Sequence, residues 1–145
     1  MKAIVFYSKT GNTKGVAEHI ADKKACELLP IIPMVDNTND LHPELKECPN
    51  IQDFDEIIFG SPVHGFSIPN VTRTYLEQTD FTGKKVLLYV THFFPYAWMG
   101  GNRTLKQMKN LIIKKGGEII DMKCINWKNK KREQDIEALV ECFSK

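Results

Sequence analysis

An apolar run that gives way at once to hydroxyls and glycine constrains this chain more than any other stretch. Ala3, Ile4, Val5, Phe6 and Tyr7 are apolar or aromatic at every position. A strand with one wet face alternates polar and apolar residues, so an unbroken run marks a strand buried on both faces, as in a parallel sheet covered by helices. The chain then reads Ser8, Lys9, Thr10, Gly11, Asn12, Thr13. Beyond it Val16, Ala17, Ile20 and Ala21 recur at three-and-four spacing, with Lys14, Glu18, Asp22 and Lys23 elsewhere around the helix. The order is strand, tight loop, amphipathic helix, and the apolar face of that helix packs on the sheet.

Such an order creates an anion site. Backbone N–H groups in the first turn of a helix lack partners, and the aligned peptide dipoles place roughly half a positive charge there, aimed back into the loop. Ser8, Thr10 and Thr13 add hydroxyl donors and Asn12 an amide, while Gly11 allows close backbone approach or a positive φ. Helix capping alone needs one such residue; a whole run of them, Lys9 included, reads as a phosphate cradle. The sequence lacks Gly-x-x-x-x-Gly-Lys-Ser/Thr and Gly-x-Gly-x-x-Gly, which excludes the common nucleoside triphosphate and dinucleotide loops. No cysteine nucleophile stands in the loop and no carboxylate ends the first strand. The loop is built to bind phosphate rather than to transfer it.

With 145 residues, 42% of them hydrophobic and 26% charged, residues 1–145 are expected to form a single domain with its own core. The N-terminal apolar run is too short for a secretory signal or a membrane span, so a cytoplasmic protein without a membrane partner is expected. Cys26, Cys48, Cys124 and Cys142 show no Cys-x-x-Cys spacing and read as reduced structural residues, with no metal site. A net charge of +2 commits the chain to no polyanion. The basic run Lys128, Lys130, Lys131 and Arg132 reads as a solvated loop before the last helix, so no nucleic-acid partner is expected.

Later in the chain strands and helices alternate. Leu28 to Val35 is apolar but broken by Pro30 and Pro33, which suits one edge strand. Asn37 to Asp53 is a polar connection with a helical turn expected around Glu44 to Cys48. Ile57 to Phe59 forms a short buried strand that Gly60-Ser61-Pro62 turns into a loop. A helix through Val71, Tyr75 and Leu76 leads to a central strand, Val86 to Val90, and then to the aromatic stretch from Thr91 to Gly101. Leu105, Met108, Leu111 and Ile112 mark a helix closed by Gly116-Gly117, followed by a last strand from Glu118 to about Trp127 and a helix over about 133–143. Right-handed crossovers make the sheet parallel, and a proline-broken second strand at one edge favours the order 2-1-3-4-5. Ligands of such sheets bind beyond the carboxyl ends of the strands, where the loops after strands one, three and four converge.

Two of those loops carry a resemblance. Tyr7-Ser8-Lys9-Thr10-Gly11-Asn12-Thr13 resembles the FMN phosphate loop of flavodoxins, Ser/Thr-x-Thr-Gly-Asn-Thr after the first strand. Gly60-Ser61-Pro62-Val63-His64-Gly65 is similar to the Gly-Ser/Thr-Pro-x-x-Gly loop of the wider family. The resemblance implies a flavodoxin-like three-layer αβα sandwich, an α/β fold with a five-stranded parallel sheet of order 2-1-3-4-5. It implies FMN as cofactor, with the phosphate on Ser8 to Thr13. The ring would be held by Ser61, Pro62, Val63, His64, Gly65 and Phe66 from the second loop and by Thr91, His92, Phe93, Phe94, Tyr96 and Trp98 from the third. No catalytic residue is implied; the family shuttles single electrons between redox partner proteins, and Gly65 is the residue able to flip its peptide as the second loop rearranges. Two features depart from the family. No acidic residue lies between Thr91 and Gly101, and the net charge is +2 where flavodoxins are typically acidic. They keep open an FMN-dependent oxidoreductase acting on a quinone or similar small acceptor, and a domain that only binds.

Overall fold

The computed structural model describes residues 2–9, 11–23, 26–35, 39–64, 67–92, 101–126 and 132–143. In chain order the elements are β1 (Lys2–Phe6), α1 (Asn12–Lys23), β2 (Glu27–Pro30), β3 (Ile32–Pro33), β4 (Leu45–Glu47), β5 (Glu56–Pro62), α2 (Asn70–Glu77), β6 (Lys85–His92), α3 (Gly101–Lys114), β7 (Glu118–Asn126) and α4 (Arg132–Phe143). Five strands make one parallel sheet in the order β2-β1-β5-β6-β7. Counted within that sheet alone, this is the expected 2-1-3-4-5.

The unbroken apolar run of β1 is explained by the two layers it separates. Ala3, Val5 and Tyr7 join Ile57, Phe59, Leu88 and Val90 beneath Tyr75 and Leu76 of α2 and Leu105, Met108 and Ile112 of α3. Ile4 and Phe6 turn the other way, with Ile58, Tyr89 and Ile125, against Val16, Ala17 and Ile20 of α1 and Ile136 and Leu139 of α4. Each fully buried side chain of this size contributes roughly 1.5–3 kcal/mol. α3 ends where expected: Gly116 N–H donates to Ile113 O at 3.0 Å and Gly117 N–H to Ile112 O at 2.9 Å.

The edges differ from the sequence reading. The stretch 28–35 is two strands: Ile31 N–H makes the last bond to β1, at 2.7 Å to Phe6 O, and Ile32 and Pro33 then leave the sheet to pair antiparallel with β4. Residues 45–47 are therefore extended rather than helical, because β3 supplies a partner that no local pattern announces. Gly60, Ser61 and Pro62 continue β5 in register with Tyr89, Val90 and Thr91. A proline as the last residue of a strand gives up little of the ladder. β6 likewise runs through Thr91 to His92, and it is interior while β5 is the middle strand.

Candidate functional site

Strands β1, β5 and β6 lie side by side and lead into helices through short connections, 7–11, 63–69 and 93–100. In the first, Tyr7 N–H extends the ladder to Gly60 O at 3.1 Å. Gly11 N–H donates to Ser8 Oγ at 3.0 Å, and Gly15 N–H donates to Gly11 O at 2.9 Å as the opening bond of α1. Gly11 has φ +94°, a left-handed conformation that a side chain resists, and a Cβ built there would meet nothing within 4 Å. The N–H groups of Asn12, Thr13 and Lys14 in the first turn have no acceptor within the helix. The loop thus presents backbone donors, the positive end of α1 and open space above Gly11, with Lys9 exposed beside it. This donor set fits a phosphate group.

Directed bonds tie the first and second loops to the end of β6 and to α3. Val63 N–H donates to Thr91 O at 3.2 Å, and the Tyr7 and His64 rings meet edge to face with centroids 6.0 Å apart. His64 and Ser67 exchange two backbone bonds of 2.9 Å, and Ile68 N–H donates to Gln107 Oε1 of α3 at 2.8 Å. Thr13 and Thr91, both buried, share a hydroxyl bond of 2.9 Å. Tyr89 Oη donates to Thr13 O, also at 2.9 Å. Complete burial pushes the Tyr89 phenol above its ordinary range, so it stays a protonated donor. Its ring reaches α1 because its register partner is Gly60: a Cβ on Gly60 would stand 2.2 Å from Tyr89 Cζ.

Several expected site residues have other partners. The Ser61 hydroxyl bonds Thr72 of α2 at 2.8 Å and donates to Pro62 O at 3.0 Å. His92 is nearly fully buried against the start of α3, where a Cβ on Gly101 would lie 3.4 Å from its ring and 3.1 Å from Cys124 Sγ. Pro62, Val63 and His64 are half-buried at the carboxyl end of β5. Thr10, Gly65, Phe66, Phe93, Phe94, Tyr96 and Trp98 lie outside the described residues. Tyr89 and Gly60 were not among the expected site residues. A tyrosine inside the apolar run 86–90 reads as core, and the only signal that could have found it was a glycine on the neighbouring strand.

At the opposite end of the sheet, a cavity of about 440 Å³ opens among Cys48, Gln52, Gln78, Asp80 and Lys84. Its polar groups satisfy one another: Gln78 Nε2 donates to Cys48 Sγ at 3.0 Å, Lys84 Nζ to Gln52 O at 2.9 Å and Thr82 Oγ1 to Asp80 at 2.6 Å. The Thr82 hydroxyl and N–H hold the Asp80 carboxyl below its ordinary value. Among the described residues no three metal-ligating side chains cluster, and no helix is long and apolar enough to cross a membrane.

Comparison with solved structures extends the fold match over nearly the whole chain. A flavoprotein of Lactobacillus acidophilus, solved in complex with FMN, superposes with a TM-score of 0.71 at 20% identity, covering 99% of this chain and 98% of its own. Oxidised flavodoxin 2 of Bacillus cereus gives 0.67 at 18% identity with coverages of 99% and 98%. A WrbA-like flavodoxin of Agrobacterium tumefaciens gives 0.72 at 16% identity, covering 99% of this chain and 92% of its own. At these identities the likeness speaks for the fold. None of the curated proteins compared by sequence matches the chain. The sequence profile of the flavodoxin domain matches residues 3–112, a span that takes in all three loops, and the chain belongs to the flavodoxin family.

Proposed function

We propose that this protein binds FMN and carries electrons between redox partner proteins. The observation that carries the reading is the cradle after β1: first-turn donors with no acceptor within the helix, a left-handed Gly11 with open space above it, and bonds from β6 that hold the turn in place. Asn12, Thr13 and Lys14 would give backbone N–H groups to the flavin phosphate, with Ser8 and Thr10 alongside. Half-buried His64 of the second loop packs edge to face on the buried Tyr7 of the first, which would set the imidazole close to the flavin ring. Bound flavin supplies one-electron redox chemistry; the chain's own part is to bind the phosphate, orient the ring and shield it from water. Short connections at the carboxyl ends of β1, β5 and β6 suit a flavin edge open to a protein partner.

The purified protein with added FMN should show a flavin absorption spectrum and quenched flavin fluorescence. Affinity should be much higher for FMN than for riboflavin, because hydrogen bonds to a charged group contribute roughly 1.5–3 kcal/mol each and most donors here face the phosphate. Equal affinities would remove the phosphate cradle from the reading. A second reading is an FMN-dependent oxidoreductase acting on a quinone or similar acceptor. The absence of acids from Thr91 to Gly101 and the net charge of +2 favour it. Steady-state oxidation of NAD(P)H with a soluble quinone separates the two, since a carrier needs a separate reductase.

A further inference from the structure

The phosphate cradle is held by side chains of β6, a strand two places from β1 in the sheet and distant from the loop in sequence. Thr13 is the second residue of α1, in the turn whose N–H groups face the loop. Its carbonyl accepts from Tyr89 Oη and its hydroxyl bonds Thr91 Oγ1, each at 2.9 Å. Tyr89 and Thr91 are two positions apart on β6 and so project to the same face. Reaching α1 requires Tyr89 to cross β5, and Gly60, its register partner, provides the gap: a Cβ there would come within 2.2–2.5 Å of two ring carbons and the phenol oxygen. Apolar packing holds a helix to a sheet without direction. Two directed bonds to one residue fix the rotation and height of a single turn, and hydrogen bonds to a charged acceptor weaken steeply when donors are misaimed.

We propose that Tyr89 and Thr91, with Gly60 as the opening between strands, are positioning residues for the cradle and set its preference for phosphate-bearing over phosphate-free flavin. The inference rests on the FMN reading above. It is tested with Tyr89→Phe, which keeps the ring and removes only the donor. FMN affinity should fall roughly fivefold, about the worth of one hydrogen bond, while riboflavin affinity changes less than twofold. On the flavin-free protein, the rise in Tm produced by inorganic phosphate should shrink in parallel. Thr91→Val should lower the FMN-to-riboflavin affinity ratio, and Thr91→Ser, which retains the hydroxyl, should preserve it; this pair carries the comparison if Tyr89→Phe does not fold. A merely structural role would lower Tm and leave the ratio where it was. Equal changes for FMN and riboflavin, or no change for either, overturn the proposal while leaving the FMN reading intact. An unaltered protein that binds FMN no better than riboflavin overturns both.

Discussion

Replacing Gly60 by alanine adds one methyl group where the Tyr89 side chain already fills the sheet's α1 face. That methyl carbon would stand 2.2 Å from Tyr89 Cζ, 2.4 Å from Oη and 2.5 Å from Cε1. Ordinary contact begins near 3.5 Å, so the ring must retreat by more than 1 Å. It is fully buried in the cluster that includes Ile58, Ile125 and Leu139, where retreat means displacing packed neighbours. Overpacking of this kind costs about 1–3 kcal/mol, and a phenol pulled from Thr13 O forfeits a hydrogen bond of about 1 kcal/mol. The expected loss is about 2–4 kcal/mol, which at a urea m-value of about 2 kcal/mol/M moves the unfolding midpoint down by about 1–2 M. Urea titration followed by circular dichroism measures it. In a Tyr89→Leu background the same Gly60→Ala change should cost less than about 1 kcal/mol, because the obstructing ring atoms are gone. A loss below about 1 kcal/mol in the unaltered background, or equal losses in both, would refute the account of Gly60 as a gap for Tyr89.

Four further outcomes follow from geometry and burial. Thr13→Val leaves the buried Thr91 hydroxyl without its partner, so it should destabilise the fold by about 1–3 kcal/mol in urea titration as well as weakening FMN more than riboflavin. Gly11→Ala meets no atom, so its effect is backbone strain alone, about 1–2 kcal/mol. Gly11→Asn, which tolerates positive φ better, should lose less FMN affinity, and equal losses would show that the conformation is not what glycine supplies. Exposed Cys48 should react with a thiol reagent at pH 8 far faster than Cys124, whose thiol burial pushes up to about 11; Cys48→Ser should lower the number of fast-reacting thiols by one. Because the folded state keeps the Cys124 proton more tightly than the unfolded chain does, that group's contribution is fully present below its ordinary value of 9.0. It is lost as pH rises toward about 11, so the Tm advantage over Cys124→Ala should narrow across that interval.

What could be read from the residues was whatever local period and turn chemistry decide. The apolar run at Ala3 to Tyr7, the three-and-four spacing from Val16 to Ile20 and the Gly116-Gly117 stop each announce their element without knowledge of any neighbour. The short strands β3 and β4 were hidden because two or three residues show no period, and their pairing is decided by a partner outside the local sequence. Hydroxyls were harder still. Thr13 and Ser61 both carry the chemistry of a ligand donor, yet one bonds Thr91 and the other Thr72, because each sits on the inward side of its element. Composition cannot tell a hydroxyl that awaits a ligand from one already engaged across the core. The aromatic third loop, from which Phe93, Phe94, Tyr96 and Trp98 were drawn as ring contacts, lies outside the described residues.

The bonds from β6 to Thr13 span 76 and 78 residues of chain. A chain emerging from the ribosome therefore displays the loop sequence long before it owns a binding site, since the turn acquires its tethers only when β6 has been made and has docked beside β5. Closing so long a loop is opposed by chain entropy until the sheet's contacts reward it. Competence to hold an anion thus arrives late, with assembly of the sheet, and an excised β1–α1 peptide would carry the motif without the site.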